Sequence, residues 1–152
     1  MIGADGKEDV PHRAWLRAYE QVIADVQSTL AARGADVDKA SKGHAFLGSK
    51  LIYSVVRNIS RADMAWHLDN CLALKREFPH LIAGFDLVGH EDSLKPLVYY
   101  AEEFLGALET QRECGVTVPF VFHAGETLGD GSAADMNLYD AILLGTKRIG
   151  HG

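Results

Sequence analysis

The sequence is poor in several things, and each scarcity excludes something. Its two cysteines, Cys71 inside a helical pattern and Cys114 at the end of another, form no Cys-x-x-Cys. They read as small buried or half-buried thiols, and no compartment is read from them. No apolar run approaches the ~20 residues of a membrane helix, so no membrane partner is expected. Met1 to Asp9 is polar with no apolar core, which does not fit a signal peptide. There is no Lys/Arg cluster and the net charge is -6, which argues against a nucleic acid backbone as partner. A base-sized ligand stays open, because a neutral ring system needs no basic field. Gly-x-Gly-x-x-Gly, a phosphate-binding loop and Gly-x-Ser-x-Gly are all missing. What is present is 152 residues, 47% hydrophobic and 24% charged, the profile of a soluble globular chain about one domain long.

Hydrophobic spacing divides the chain. From Pro11 to Arg33, Trp15, Tyr19, Val22, Ile23, Val26 and Leu30 recur every three or four residues, predicting a helix that Gly34 stops. Gly34 to Gly43 reads as a loop. The run Leu51-Ile52-Tyr53-Ser54-Val55-Val56 suits a strand buried on both faces. Ser60 then caps a helix to about Phe78, ended by Pro79. Leu81–Val88, Thr117–Phe122 and Lys147–His151 predict further strands, with helices over Ser93–Glu113 and Asp135–Leu144. Strands alternating with helices of this length imply parallel pairing. The expected fold is therefore α/β, with residues 1–43 an N-terminal helix and loop and residues 44–152 a series of βα units. An open sheet and a (β/α)₈ barrel share this pattern. A barrel needs about 250 residues, so on that reading the chain is truncated to about half a barrel, with Ile52, Phe85 and Phe120 expected on its inner face.

Parallel α/β folds bind ligands at the carboxyl ends of their strands. Three strands here turn from apolar to ionisable at that end: Asp86 then Gly89-His90-Glu91-Asp92; His123-Ala124-Gly125-Glu126; and Gly150-His151-Gly152. A strand-end His123 can offer a ring nitrogen to a metal. Ala124-Gly125 lets the backbone turn and a ligand approach, and Glu126 stands where a carboxyl can donate a proton. A buried histidine satisfied by backbone, with a solvated loop glutamate, fits the spacing equally. His151 between two glycines can hold a proton beside a metal-bound water, or is a core histidine. Gly89 can present its N–H to a flat heterocycle, or simply turn the chain. Asp86 reads first as a cap for strand-end amides and second as a ligand. Arg57 reads first as a rim salt bridge and second as support for the site. The Trp15/Tyr19 stripe reads as helix packing, and His12, His44, His67 and His80 have no partner at a metal-ligand spacing.

Phe120-Val121-Phe122-His123-Ala124-Gly125-Glu126-Thr127, followed by Thr146-Lys147-Arg148-Ile149-Gly150-His151-Gly152, resembles the adenosine deaminase family. Ile82 to Asp92, Ile-Ala-Gly-Phe-Asp-Leu-Val-Gly-His-Glu-Asp, resembles one branch of it, the usually secreted adenosine deaminase-related growth factors. The likeness runs from about Leu47 to Gly152. It implies a zinc-bearing (β/α)₈ barrel that converts adenosine to inosine and ammonia, with a purine nucleoside as small-molecule partner and a homodimeric parent. Residue by residue, His123 matches a zinc ligand and Glu126 the acid that protonates the purine ring. His151 matches the base beside the metal-bound hydroxide, and Gly89 a backbone contact to the purine.

The chain departs from that pattern too. The family's first-strand His-x-His pair and last-strand Asp-Asp are absent, leaving His123 alone of the expected zinc ligands. Members of the branch often carry a His two residues after Ser54, where this chain has Val56. An isolated chain of this kind is expected to be inactive. Alternatives are a deaminase of another aminopurine, adenine or a nucleotide, and a non-catalytic growth-factor-like chain or pseudoenzyme.

Overall fold

A computed structural model describes residues 11–34 and 46–152. His44 and the expected loop beyond Gly34 lie outside the described residues. The chain divides into two compact units, one ending at Lys50 and the other spanning Leu51–Gly152.

In the first unit, helix α1 runs His12–Gly34, as the three-and-four spacing predicts. Trp15 and Tyr19 stack with ring centroids 5.4 Å apart, one turn apart on the same face. Tyr19 shares a hydrogen bond with Ser49. Leu16 is buried, whereas Trp15, Val22, Val26 and Leu30 are exposed, so most of the expected packing stripe faces outward.

The second unit alternates strands and helices: β1 Leu51–Val56, α2 Arg61–Glu77, β2 Ile82–Val88, α3 Ala101–Cys114, β3 His123–Ala124, α4 Asn137–Leu143 and β4 Gly150–His151. β1 pairs parallel with β2, and β3 parallel with β4. A parallel bridge between Phe85 and Phe120 joins the two pairs. The order β1-β2-β3-β4 follows the chain, as βα units predict. Ser60 caps α2, its hydroxyl accepting from the Asp63 N–H at 3.1 Å.

Two boundaries differ from expectation. The helix foreseen from Ser93 begins later, as a 3₁₀ turn at Leu97–Tyr100 that leads into α3. Pro96 stands immediately before that turn and disfavours helical backbone in the residue preceding it. The third strand pairs regularly only at its end. Upstream it makes single contacts, with Phe85 N–H donating to the Pro119 carbonyl and Val121 N–H to the Phe85 carbonyl, each at 2.9 Å. Gly84 permits that approach: a Cβ there would lie 2.8 Å from the Pro119 oxygen.

Facing also corrects the expectation. Phe85 and Phe120 are 0% and 2% exposed and lie on the helix side, where both rings contact Phe104 of α3. Side chains alternate along a strand, so Phe85 shares its face with Leu87, and Asp86 takes the other. Ile52 does stand on an open face. β1 is buried on one side only, with Ile52 and Val56 exposed at 44% and 52%.

Candidate functional site

The alternation that sends Phe85 and Phe122 to the helices turns Asp86 and His123 to the opposite face, at the carboxyl ends of neighbouring strands. Asp86 is 4% exposed. One of its oxygens accepts the His123 backbone N–H at 2.9 Å and the other meets His123 Nδ1 at 2.7 Å. Asp86 thus caps a strand-end amide, as expected, and also orients the imidazole. A proton on Nδ1 satisfies Asp86 and leaves the Nε2 lone pair free for a metal ion or an acid. Gly150 makes room for this ring: a Cβ there would stand 3.0 Å from His123 Cδ2 and 3.2 Å from Nε2.

β4 brings His151 beside β3, with the His123 and His151 ring centroids 5.5 Å apart. His151 Nε2 lies 3.5 Å from a Glu126 carboxylate oxygen. The side chains of His151 and Glu126 are 46% and 53% exposed, so the pair is open to solvent. His151 has φ +72°, the only non-glycine residue with positive φ among those described. That conformation costs about 1–3 kcal/mol and persists where surrounding structure holds it; here the amides on either side are tied to the neighbouring strand, Gly150 N–H donating to the Phe122 carbonyl at 2.9 Å and Gly152 N–H to the Ala124 carbonyl at 3.0 Å. Gly89 follows β2 at the same end, with φ +112°, and a Cβ there would press on Leu94 at 3.0 Å and Val56 at 3.3 Å. The structure therefore brings His123, Glu126 and His151 together and sets Gly89 on the same rim.

Beneath them lies a buried polar brace. Arg57 is fully buried, which corrects its reading as a rim salt bridge. Its Nη2 donates to the Leu87 carbonyl at 3.0 Å and the His123 carbonyl at 2.8 Å, and Nη1 lies 3.7 Å from Glu91. Burial pushes the guanidinium below its ordinary pKa, opposed by the charges of Glu91, Asp86 and Glu126. Glu91 is 2% exposed and accepts from the backbone N–H of Gly125 at 3.3 Å and of Glu126 at 3.0 Å. Asn137 donates to Glu91 at 2.6 Å and accepts the Leu97 N–H at 2.7 Å. Sequence reasoning passed over Glu91 and Asn137. An apolar run turning acidic marks a strand end, but nothing in it tells a buried glutamate from a solvated one.

His123 is suited to be one metal ligand. Zinc needs three or four, and the described residues contain no group of three His, Cys, Asp or Glu side chains able to hold an ion. The donors present do not by themselves make a zinc site.

No family model matches the chain. It is 44% identical over 144 residues to adenosine deaminase 2 of Sus scrofa, covering 94% of this chain and 25% of that protein. It is 39% identical over 131 residues to adenosine deaminase 2-A of Danio rerio, 86% of this chain and 25% of that protein. With adenosine deaminase 2 of Homo sapiens the identity is 45% over 107 residues, 70% of this chain and 20% of that protein. The chain spans at most about a quarter of the length of these relatives. With identity at this level over 70% to 94% of its length, the chain belongs to the adenosine deaminase family, on its growth-factor branch.

Proposed function

We propose that this chain supplies the proton donor and one metal ligand of a zinc-dependent adenosine deaminase that hydrolyses adenosine to inosine and ammonia. The observation that carries the reading is the meeting of His123, Glu126 and His151 at the carboxyl ends of adjacent parallel strands, with Asp86 fixing the His123 ring. Zinc, when bound, supplies a water whose pKa falls to about 7. Glu126 protonates a purine ring nitrogen, making the neighbouring carbon electrophilic. His151, 3.5 Å from Glu126, holds or takes the proton of the attacking water. Gly89 offers its backbone to the flat base. The strand series is read as part of a (β/α)₈ barrel, in which such a rim forms the mouth.

The test is Glu126→Gln in the complete protein. Zinc content stays unchanged and the rate of adenosine deamination falls by roughly 10²–10⁴. Near-normal turnover would move the acid role elsewhere. The shortage of metal donors among the described residues also favours an inactive isolated chain: the 152 residues alone release no ammonia from adenosine, even with added zinc. Measurable release by them would overturn that reading.

A further inference from the structure

We infer that Glu91 is a positioning residue that aims the Glu126 carboxyl by gripping the backbone of the turn that carries it. The inference rests on the assignment of Glu126 as the acid. Glu91 sits in the loop after β2, 34 and 35 positions from the two amides it holds. One oxygen accepts the Glu126 N–H at 3.0 Å, and the other accepts the Gly125 N–H at 3.3 Å. A carboxylate taking two successive amides fixes the peptide plane between them and, with it, the direction in which the next Cα–Cβ bond leaves. Gly125 makes the grip matter. At φ +90° with no side chain, it has the widest backbone freedom in the turn, so the direction of Glu126 is set from outside.

The grip is itself held. Asn137 donates to Glu91 at 2.6 Å from α4, and Arg57 lies 3.7 Å away. Arg57 also donates to the His123 carbonyl at 2.8 Å, so the buried Arg57–Glu91 pair holds both ends of the His123–Glu126 segment. A carboxylate buried to 2% exposure is costly unless paired and hydrogen-bonded. It meets those conditions here, with three donors and a cation. Glu91 itself is closed off from solvent; Glu126, half exposed, is not.

A positioning role and a structural one separate in a double-mutant cycle on the complete, zinc-loaded protein. Glu91→Gln keeps the shape, but its carboxamide has one acceptor oxygen where the carboxylate has two. It is expected to lower kcat about 10²-fold, the cost of a misplaced catalytic group, with KM and zinc content nearly unchanged. In the Glu126→Gln background the same change is expected to cost less than about 3-fold, because the group being aimed has gone. Losses that multiply across the cycle would overturn the proposal. Glu91→Asp keeps the charge beside Arg57 and guards against misfolding. It should show an intermediate loss of kcat, and full activity from it would also count against the grip. Amide hydrogen exchange supplies a readout without turnover: protection at Gly125 and Glu126 falls in Glu91→Gln, and unchanged protection would refute the contact. If Glu126→Gln alone keeps normal turnover while exchange at the turn responds to Glu91, the assignment of the acid fails and the grip stands.

Discussion

The strand layer of the second unit has two kinds of interior, one apolar and one polar. On the helix side Tyr100, Phe104 and Phe122 are 0% exposed, and Phe104 contacts Tyr100, Phe85, Phe120 and Phe122 at centroid distances of 4.9 to 6.4 Å. At the carboxyl ends of the strands, Arg57, Asp86, Glu91 and Asn137 are as deeply buried. The aromatic layer is non-directional: its contribution follows buried area, and a ring can be replaced by another apolar group of similar size. The polar brace is directional. A buried ion pair adds little net stability, whereas breaking one leaves an uncompensated group. Equal burial therefore does unequal things: the aromatic side holds the layer together, and the polar side decides where the rim residues point.

The largest expected stability loss falls on the aromatic side. Phe104→Ala should lower unfolding free energy by about 3–5 kcal/mol, and Phe104→Leu by clearly less, because volume matters there more than identity. Urea denaturation followed by circular dichroism measures both. A loss below about 1 kcal/mol for the alanine variant would show that the layer is not the core of this unit.

Asn137→Ala comes next. It leaves the Leu97 N–H without its side-chain acceptor and Glu91 with one donor fewer, at about 1–3 kcal/mol. The same denaturation series is the measure, and the contrast lies in replacement. Asn137→Leu, of similar size, should not recover the loss as Phe104→Leu does. Recovery would erase the distinction between the two interiors.

The smallest effect is chemical. Cys71 is 1% exposed, and burial pushes its thiol up to about 12, with Lys75 opposing. The thiolate is the reactive form, so at pH 8 iodoacetamide should modify the half-buried Cys114 well before Cys71. Equal labelling, read by mass spectrometry of the two peptides, would mean that α2 opens from the layer readily.

Much of this was legible in the chain, and the exceptions around the site share one cause. α1 and α2 lie within two residues of their expected bounds because spacing of three and four, the Ser60 cap and the Pro79 stop act locally. The strand ends that turn ionisable were legible as well, since an apolar run has to end at the rim. The burial of Arg57, the facing of Phe85 and Phe120 and the roles of Glu91 and Asn137 were not. Arg57 and Glu91 lie 34 positions apart in sequence, and Asn137 is 46 beyond Glu91. No local pattern records such distances.

The sequence by itself determined the alternation of strand and helix, the family motifs and the residue types at the rim, because periodicity, caps and strand ends are short-range consequences of side-chain shape and polarity. Tertiary structure alone decided which side of each strand met the helices, that Asp86 would hold the His123 ring at 2.7 Å, and that Glu91 would reach the Gly125–Glu126 turn. Parallel strands are joined only through the helices between them. Their relative register, and every contact across it, exists only once those helices have packed.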